Sequence, residues 1–454
     1  MKITFIEPKG AFEGFSFGWL NKMPMVGIVY LATILKHRGH EVEVRKESVK
    51  AIDCSKLDCD VLCISIMTST ARRGYWFASQ YKRYNPKGKV IIGGVHATFL
   101  PQEAAKYADH VLVGEADSII TDIVEGKYKE KIIYGKKCED LDELPFPDFS
   151  LIKDLKLPMP HTPISTSRGC PFNCKFCSVT SMFGRQYRFR SPENIVDEII
   201  SSKHRNLFFY DDNFGALNSR TKEILTRMAE LKLDIPWKAQ ARTEVVNDNK
   251  LLNLMVKTHC RYLCIGFESI NPKTLEAYNK SQKLEGVKRS IKVLHDFGIK
   301  IHGMFVFGSD EDDKKVIKDT VDFCNTMDIE SPQFSILTPL PGSALYSELE
   351  SQGRIFSKNW KLYDCHHAVF TPRNMSAYEL QKRVMEAVSR LYWITRRGIK
   401  FFFKDFGSSV SILSKCLKWE RQNSRYLAYL RSLMNKSKPL PKANVLPSMI
   451  IHKR

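Results

Sequence analysis

Apolar and polar positions in the first part of the chain form short apolar runs separated by segments with helical spacing. The strand-like runs are 2–8, 40–46, 60–67, 89–94 and 110–115, and the helical segments are 27–39 and 72–84. Short strands that alternate with helices are typical of a parallel, doubly wound sheet. We therefore predict a Rossmann-like α/β domain over residues 1–137, with its ligand at the carboxyl ends of the strands.

A second alternating series begins near Pro163. Its strand-like runs are 163–168, 207–212, 237–242, 262–269, 300–308 and 332–342, and its helical segments are 192–203, 219–231, 247–258, 284–298 and 314–327. Polar residues and glycines recur at the carboxyl ends of these six runs. In a barrel such ends all face one mouth, so the pattern favours a partial (β/α)6 barrel over a second open sheet.

The remaining segments complete the predicted domain organisation. Residues 138–162 are rich in acidic residues and proline and show little periodicity, which indicates a linker between the domains. We predict the barrel over residues 163–353 and a mostly helical, basic region over residues 354–454.

The positive charge of the chain is concentrated at its carboxyl end. The net charge is +20, and residues 381–454 hold 17 Lys and Arg against 3 Asp and Glu. Aromatic residues are interleaved with these charges: Tyr392, Trp393, Phe401, Phe402, Phe403, Phe406, Trp419, Tyr426 and Tyr429. This composition suits an anionic membrane surface or a nucleic acid. A helical region with a solvated basic face is the alternative.

Hydropathy and the amino-terminal residues bear on the compartment. The chain has no charge-free apolar run as long as the roughly 18 residues that a membrane span needs, and its first residues read as a strand rather than a signal peptide. We therefore expect a cytoplasmic protein, with peripheral membrane contact through the basic carboxyl-terminal region. In a reducing compartment, clustered cysteines are metal ligands more often than disulfide partners.

Three of the twelve cysteines cluster in the segment SRGCPFNCKFCS, directly after the first predicted barrel strand. They are Cys170, Cys174 and Cys177. A zinc site needs four ligands, usually as two pairs, and no second pair stands nearby in the sequence. Three cysteines instead suit a 4Fe-4S cluster whose fourth iron is open to a substrate or cofactor. We expect Arg168, Lys175 and Arg185 to offset the negative charge of the sulfurs.

The segment CPFNCKFC resembles the cluster motif of the radical S-adenosylmethionine (SAM) enzymes. Further segments resemble the cobalamin-dependent subgroup of that family, which includes hopanoid C-methylases and anaerobic magnesium-protoporphyrin ester cyclases. They are GGVHATFLPQEA, GEAD, LPFPD, FYDDNF, GFESIN and LTPLPGSALY, so the resemblance covers nearly the whole chain. It implies that SAM binds the open iron and that an electron from flavodoxin or ferredoxin cleaves it. The resulting 5'-deoxyadenosyl radical then removes a hydrogen atom from an unactivated carbon.

The resemblance also implies which residues bind SAM. The backbone of Phe176 matches the position that lies against the adenine. Asp211, Asp212 and Asn213 end the second strand, where the family places polar groups near the SAM amino group. Helix capping is the alternative role for these polar residues.

Later strands supply further residues by the same resemblance. Gln240 and Arg242 lie on one face of the third strand and match contacts to SAM or substrate. Glu268 closes the fourth strand and matches a ligand of the ribose hydroxyls. Gly303 and Thr338 would leave room for the adenine. Barrel packing is the alternative role at these positions.

Cobalamin is the cofactor that the resemblance implies for the first domain. The predicted cradle consists of Ser65, Met67, Thr68, Gly93, Gly94, Gly114 and Glu115. Many cobalamin domains carry Asp-x-His-x-x-Gly, whose histidine is the lower ligand of cobalt, but this chain has SIMTSTARRGYWF at that point. We therefore expect cobalamin to bind without a histidine ligand to cobalt. If a histidine does serve as that ligand, His96 is the candidate that lies close in the sequence.

These cofactors predict C-methylation of a lipid or isoprenoid-type substrate, because a methyl group on cobalt can be delivered to the carbon that has lost its hydrogen. Three alternatives stay open. A methylthiotransferase acting on tRNA would need a second cluster, for which Cys54, Cys59, Cys63 and Cys138 are available. A cyclase or coupling enzyme would transfer no methyl group. A noncatalytic iron–sulfur protein would bind nucleic acid through the basic tail.

Overall fold

The structure is a computed structural model that describes residues 1–10, 23–201, 206–393 and 406–436. The side chains of 392, 393, 406–419 and 436 lie outside this description. The side chains of most aromatic residues predicted to interleave with the carboxyl-terminal charge therefore lie outside this description: Tyr392, Trp393, Phe401, Phe402, Phe403, Phe406 and Trp419.

The amino-terminal domain is built on one parallel sheet. Its strands are β1 (Lys2–Glu7), β2 (Glu41–Lys46), β3 (Val61–Ser65), β4 (Lys89–Gly93), β5 (His110–Val113) and β6 (Ile132–Tyr134). Its helices are α1 (Val26–His37), α2 (Ala71–Tyr84), α3 (Val95–Phe99), α4 (Pro101–Ala104) and α5 (Ile120–Val124). The strand order is β2-β1-β3-β4-β5-β6, so β2 is added on one side of β1 and the later strands on the other. This order confirms the predicted doubly wound fold and adds β6 to it.

Two hydrophobic clusters cover the two faces of this sheet. Leu62 and Ile64 of β3 pack with the α2 residues Phe77 and Ala78, whereas Cys63 of the same strand packs with Val29 of α1. Successive residues of a strand point to opposite faces, so both faces of β3 are covered. This explains why the strands of this domain read as nearly continuous apolar runs.

The second sheet also has six parallel strands. They are β7 (Thr162–Ile164), β10 (Leu207–Phe209), β11 (Trp237–Ala241), β12 (Cys260–Glu268), β13 (Lys300–Phe307) and β14 (Ser331–Ile336). The connecting helices are α6 (Val179–Phe183), α7 (Pro192–Ser201), α8 (Asn218–Glu230), α9 (Asn249–Lys257), α10 (Pro272–Ala277), α11 (Leu284–Asp296), α12 (Val316–Thr326) and α13 (Ala344–Ser351). The strands pair in chain order from β7 to β14, with β7 and β14 at the edges, as the predicted partial barrel requires.

One predicted strand is split. The run 163–168 ends as a barrel strand at Ile164, and its last two residues form β8 (Ser167–Arg168), which pairs antiparallel with β9 (Arg188–Phe189). This short hairpin frames the cysteine loop. The change of partner separates the loop from the barrel sheet.

Residue parity decides which side chains enter the barrel. Leu263, Ile265 and Phe267 of β12 belong to the core between the sheet and its helices. The residues between them, Cys264 and Gly266, therefore face the barrel interior. Glu268 follows an irregularity in β12, and its carboxylate lies beside Gly266 on the same side.

The carboxyl-terminal region contains α14 (Ala377–Trp393) and α15 (Phe406–Lys436). Tyr426 of α15 donates a hydrogen bond to the Ala368 carbonyl at 2.7 Å, so this aromatic residue serves packing. Before these helices, the Trp360 indole donates to Glu103 of the first domain at 2.9 Å. None of the described helices is both long enough and apolar enough to cross a membrane. The exact domain boundaries stay predictions.

Candidate active site

The three cysteines lie on the loop between β8 and α6, and each is half-buried. The loop opens at Gly169, whose φ is +91° and where a Cβ would lie 2.5 Å from the Gln186 carbonyl oxygen. Only glycine meets both conditions without strain. The Cys177 amide then donates to the Cys174 carbonyl at 3.0 Å, which closes a backbone turn between the last two cysteines.

Neighbouring segments hold the loop from outside. The Lys175 amide donates to the Tyr278 carbonyl at 3.0 Å, and the Lys175 carbonyl accepts from the Leu345 amide at 3.0 Å. The side chain of Asn279 donates to the Asn173 carbonyl at 2.9 Å. These contacts hold the cysteine loop against the end of α10 and the start of α13.

The chemistry of the thiols fits a cluster. Among the described residues, no three His, Cys, Asp or Glu side chains converge on one point as the ligands of a single metal ion would. In a 4Fe-4S cluster each cysteine binds a different iron, so a wider spacing is suitable. Burial raises the pKa of Cys177 to about 12, and the positive charge of iron would keep this sulfur deprotonated.

The positive charge near the thiols differs from the prediction. Arg168 is paired with Glu115 and Asp117, and Lys175 is paired with Glu348. Arg185 is exposed. The first two charges are therefore already balanced by carboxylates.

Arg242, which is itself paired with Glu244 at 2.9 Å, also contacts the cysteine loop. Its Nη1 lies 3.9 Å from the Cys174 sulfur, and its guanidinium lies 3.8 Å from the centre of the Phe172 ring. It also donates to the Lys280 carbonyl at 2.5 Å. Arg242 thus joins the third barrel strand to the cluster loop, in the place predicted for a cofactor contact.

The acidic end of the second barrel strand has two distinct parts. Asp211 is 1% exposed and accepts from the amides of Thr166 and Ser167 at 2.7 and 3.0 Å, so its carboxylate shapes the start of the hairpin. Asp212 is exposed, yet burial by surrounding protein and the charge of Asp211 raise its pKa to about 7. Accessibility combined with such surroundings is typical of a concave site.

Asn213 provides an observation that bears directly on SAM. The residue is 3% exposed, and its Oδ1 is buried without a hydrogen-bond partner among the described residues. A buried polar atom without a partner is costly, and a ligand amine would satisfy it. Nearby, Gln240 donates to the Asp211 carbonyl at 3.3 Å, which leaves its side-chain oxygen available.

Glu268 lies at the end of β12 as predicted, but it is paired. Lys280 Nζ donates to its carboxylate at 2.7 Å, and both side chains are buried. The role of Glu268 at the ribose stays a prediction. Sequence reasoning missed Lys280, because a lysine in a turn between two helices carries no signal of burial.

The prediction for Gly303 is wrong. A Cβ there would lie 3.0 Å from the Phe267 ring and 3.1 Å from Ile329, on the helix side of the sheet. Gly303 therefore makes room for the core and not for adenine. Thr338 is 5% exposed and donates to the Ile336 carbonyl at 3.0 Å. Phe176, within the cysteine loop, packs edge-on against Tyr278 at 5.1 Å, and its backbone contact with the adenine stays a prediction.

The predicted cobalamin cradle lies at the carboxyl ends of β3, β4 and β5. At Gly94, with φ +96°, a Cβ would lie 2.7 Å from the Ile66 carbonyl oxygen and 2.9 Å from Ser65 Oγ. At Gly114, with φ +82°, a Cβ would meet no atom of the described residues within 4 Å. Met67 stands 49% exposed beside them. Two of these strand ends carry glycines without side chains, so a bulky planar ligand could approach the backbone there.

Glu115 of the predicted cradle and the nearby candidate His96 are both engaged in other contacts. The Glu115 carboxylate binds Arg188 and Arg168, so it is not free for cobalamin. His96 is fully buried, and its ring nitrogens lie 3.3 Å from Thr68 Oγ1 and 3.5 Å from Glu103. Both ring nitrogens thus have neighbours within the protein, so we expect His96 to hydrogen-bond locally rather than bind cobalt.

The methylthiotransferase alternative needs a second set of cysteines in this domain. Cys54, Cys59 and Cys63 are all buried, and burial raises the pKa of each thiol. Cys138 is half-buried and donates to the Asp140 carbonyl at 3.0 Å. These four thiols therefore have the environment of structural cysteines.

Comparisons with known proteins agree with both cofactor sites. Residues 164–324 match the radical SAM superfamily, and residues 20–124 match the B12 binding domain. The chain is 31% identical to the bacteriochlorophyllide d C-12(1)-methyltransferase of Chlorobaculum tepidum over 352 residues, which cover 73% of this chain and 75% of that protein. It is 24% identical to the hopanoid C-3 methylase of Methylococcus capsulatus over 78% of this chain and 73% of that protein.

A solved structure agrees on the fold. The cobalamin-dependent radical SAM enzyme OxsB with aqua-cobalamin bound superposes with a TM-score of 0.66 at 13% identity, over 95% of this chain and 72% of that chain. The predicted cofactors, a 4Fe-4S cluster, SAM and cobalamin, are those of this family. The chain belongs to the cobalamin-dependent radical SAM enzymes.

Proposed function

We propose that the protein transfers a methyl group from SAM, by way of cobalamin, to an unactivated carbon of a lipid or isoprenoid-type substrate. One observation carries the proposal. Glu115, at the carboxyl end of β5, is ion-paired to Arg168 and Arg188 of the hairpin that frames the cysteines. The cobalamin edge and the cluster loop therefore face one another, as a shared substrate carbon requires.

The residues of the chain have separate tasks in this reaction. When bound, the cofactors supply an electron for SAM cleavage and a methyl group for transfer. Asn213 and Asp212 would bind the SAM amine, and Arg242 would steady the cluster loop. Positioning and exclusion of water are the main contributions of the protein, because no strong general base is needed.

The barrel interior supports an apolar substrate. Phe208, Cys264 and Met304 of the barrel pack together with Met23 of the first domain. By parity these barrel residues face inward. This apolar patch favours a substrate with a hydrocarbon-rich part, since contact with the patch removes apolar surface from water. Polar side chains, among them Lys238, His302 and Gln333, share the interior with it. The resemblance to a hopanoid methylase points to the same class.

The test uses the full chain purified without oxygen and loaded with cobalamin. It is incubated with dithionite, SAM with a deuterated methyl group, and a total lipid extract, and labelled lipids are sought by mass spectrometry. Per product, one SAM should leave as S-adenosylhomocysteine and a second should be cleaved to methionine and 5'-deoxyadenosine. Formation of 5'-deoxyadenosine without any labelled methyl product would contradict methyl transfer and favour a cyclase or coupling reaction.

A tetrapyrrole is the second candidate substrate. The relative at 31% identity is named a bacteriochlorophyllide methyltransferase. A parallel incubation with a tetrapyrrole extract therefore belongs to the same experiment. Labelled tetrapyrrole without labelled lipid would replace the lipid proposal while retaining methyl transfer.

Membrane access is a separate part of the proposal. A lipid substrate would be reached most readily from a membrane surface, and the basic region 381–454 suits anionic lipid. Flotation with liposomes that contain or lack anionic lipid tests this. Binding to neither kind of liposome would remove the physical basis for membrane contact.

A further inference from the structure

The carboxylate of Glu115 joins the two domains at their functional edges. It accepts from Arg188 Nη2 at 2.5 Å and from Arg168 Nη1 at 2.7 Å. The side chains of Glu115 and Arg188 are only 3% and 2% exposed. Asp117 adds a second carboxylate to Arg168, at 2.6 and 3.0 Å. Buried ion pairs of this kind have defined geometry, because every charge needs its partner.

Both arginines belong to the hairpin that holds the cysteine loop. Arg168 of β8 and Arg188 of β9 are directly paired in the register of the two strands. Gly169 follows Arg168 and is closely packed against the Gln186 carbonyl. Cys170 comes next, so a displacement of Arg168 would displace the first cluster ligand.

Glu115 is equally tied to the cobalamin cradle. The Gly114 amide donates to Thr98 Oγ1 at 3.0 Å, and that hydroxyl donates to the Gly94 carbonyl at 3.0 Å. The His96 amide donates to the Ile66 carbonyl at 3.1 Å, which holds the Gly94 turn against the end of β3. A continuous series of hydrogen bonds and ion pairs therefore runs from the cradle to the cysteine loop.

We propose that Glu115 is a positioning residue that couples cobalamin binding to SAM binding. A ligand at the cradle would order the Gly94 and Gly114 turns, and Glu115 would extend that order through Arg168 and Arg188 to the cluster loop. The second ligand then binds a site that is already ordered, which gives positive cooperativity. This inference depends on the cofactors of the family and not on the proposed methyl transfer or its substrate.

The experiment measures SAM affinity in the full chain with a reconstituted cluster, with and without hydroxocobalamin. SAM binding is followed by the change in the EPR spectrum of the reduced cluster. In the wild type, cobalamin should tighten SAM binding by about five-fold or more, the usual lower range for coupled sites. The coupling should fall below about two-fold in Glu115→Gln and to an intermediate value in Asp117→Asn.

Two controls separate positioning from damage. Asp58→Asn removes an exposed ion pair with Lys2 in the same domain and should keep the wild-type coupling. Iron content should be unchanged in every variant, so that a lost cluster is not read as lost coupling. The coupling must also be reciprocal, with SAM tightening cobalamin by the same factor.

The outcomes decide the proposal independently of methyl transfer. Wild-type coupling in Glu115→Gln, or no coupling in the wild type, would overturn it. If Glu115→Gln does not fold, Asp117→Asn decides, because wild-type coupling in that variant would contradict a role for the ion pairs. A failed methylation assay with intact coupling would instead count against the proposed function alone.

Discussion

The two parallel sheets present their ligand-binding ends in different ways. At the amino-terminal sheet the ends are glycine turns, Gly94 and Gly114, and the nearby Glu115 carboxylate is already neutralised by arginines. The barrel has three thiols on the adjoining cysteine loop, the accessible Asp212 carboxyl and the Asn213 oxygen, which has no partner among the described residues. The ligand site of the first sheet is therefore defined by its backbone, and that of the barrel by reactive and polar side chains.

This difference predicts which kind of substitution impairs ligand binding at each site. A site defined by open backbone should fail when atoms are added, because a new Cβ enters the space of the ligand or of a neighbouring strand. A site defined by side chains should fail when atoms are removed. Substitutions of matched size in the two domains therefore distinguish the two kinds of site.

Removal of a cysteine sulfur should have the largest effect. Cys174→Ala is expected to lose the cluster and all SAM cleavage, because three thiolates are needed to hold a cluster with one open iron. Iron content and 5'-deoxyadenosine formation measure this. Cys54→Ala, which removes a buried thiol from the other domain, should keep about four irons per chain. Loss of iron in Cys54→Ala would support a second cluster and the methylthiotransferase alternative.

Addition of one methyl group to the cradle should have the next largest effect. Gly94→Ala places a Cβ 2.7 Å from the Ile66 carbonyl oxygen at a φ of +96°, so the turn must move. We expect about tenfold weaker cobalamin binding, equivalent to about 1.4 kcal/mol, with normal iron content. Gly39→Ala is the matched control, because φ is +92° there but a Cβ would have no atom within 4 Å in the part of the chain that the structure describes. If cobalamin binding is weakened equally in both variants, strain at positive φ is responsible and not the position of Gly94 in the cradle.

Each domain also has one buried Glu–Lys pair at a strand end. Glu7 pairs with Lys46 in the first domain, and Glu268 pairs with Lys280 in the barrel. Glu7→Gln and Glu268→Gln should each lower the free energy of unfolding by about 3 kcal/mol, because each leaves a buried ammonium without its partner. Only Glu268→Gln should weaken SAM binding as well. Thermal unfolding and SAM titration of both variants measure this, and equal SAM affinity would assign Glu268 to barrel stability alone.

The sequence was sufficient for features that are local. The cysteine spacing, the alternation of strands and helices and the polar ends of the barrel strands each depend on neighbouring residues, and the structure has them where they were predicted. The position of Gly303 was also readable, since Ile301 and Phe305 are apolar and share its face of β13. That parity signal was overlooked.

Contacts between residues far apart in the chain cannot be predicted from the local pattern of a single sequence. Glu115 and Arg188 are 73 residues apart in the chain, and their ion pair depends on how two domains meet. The two-residue strands β8 and β9 are too short to show a period. For these reasons Glu115 was predicted as a cobalamin ligand, and Arg168 was predicted as a counter-charge for the cluster.

The smallest effect is expected from His96, and it concerns stability rather than the cofactor. His96→Gln should leave the spectrum of bound cobalamin unchanged, because the ring is buried beside Thr68 and Trp360. Burial lowers the pKa of His96 below its ordinary value of 6.5. Below that pH the unfolded chain binds a proton that the folded chain excludes, so His96 makes the folded state less stable as the pH falls.

In His96→Gln this loss of stability below about pH 6.5 should be smaller than in the wild type, since glutamine binds no proton there. Unfolding is measured across this range, with the exposed His37→Gln as the control in the same domain. A changed cobalamin spectrum in His96→Gln would mean that a side chain of the first domain contacts the cofactor, as side chains of the barrel are expected to do. The contrast between a cradle of backbone and a site of side chains would then no longer hold.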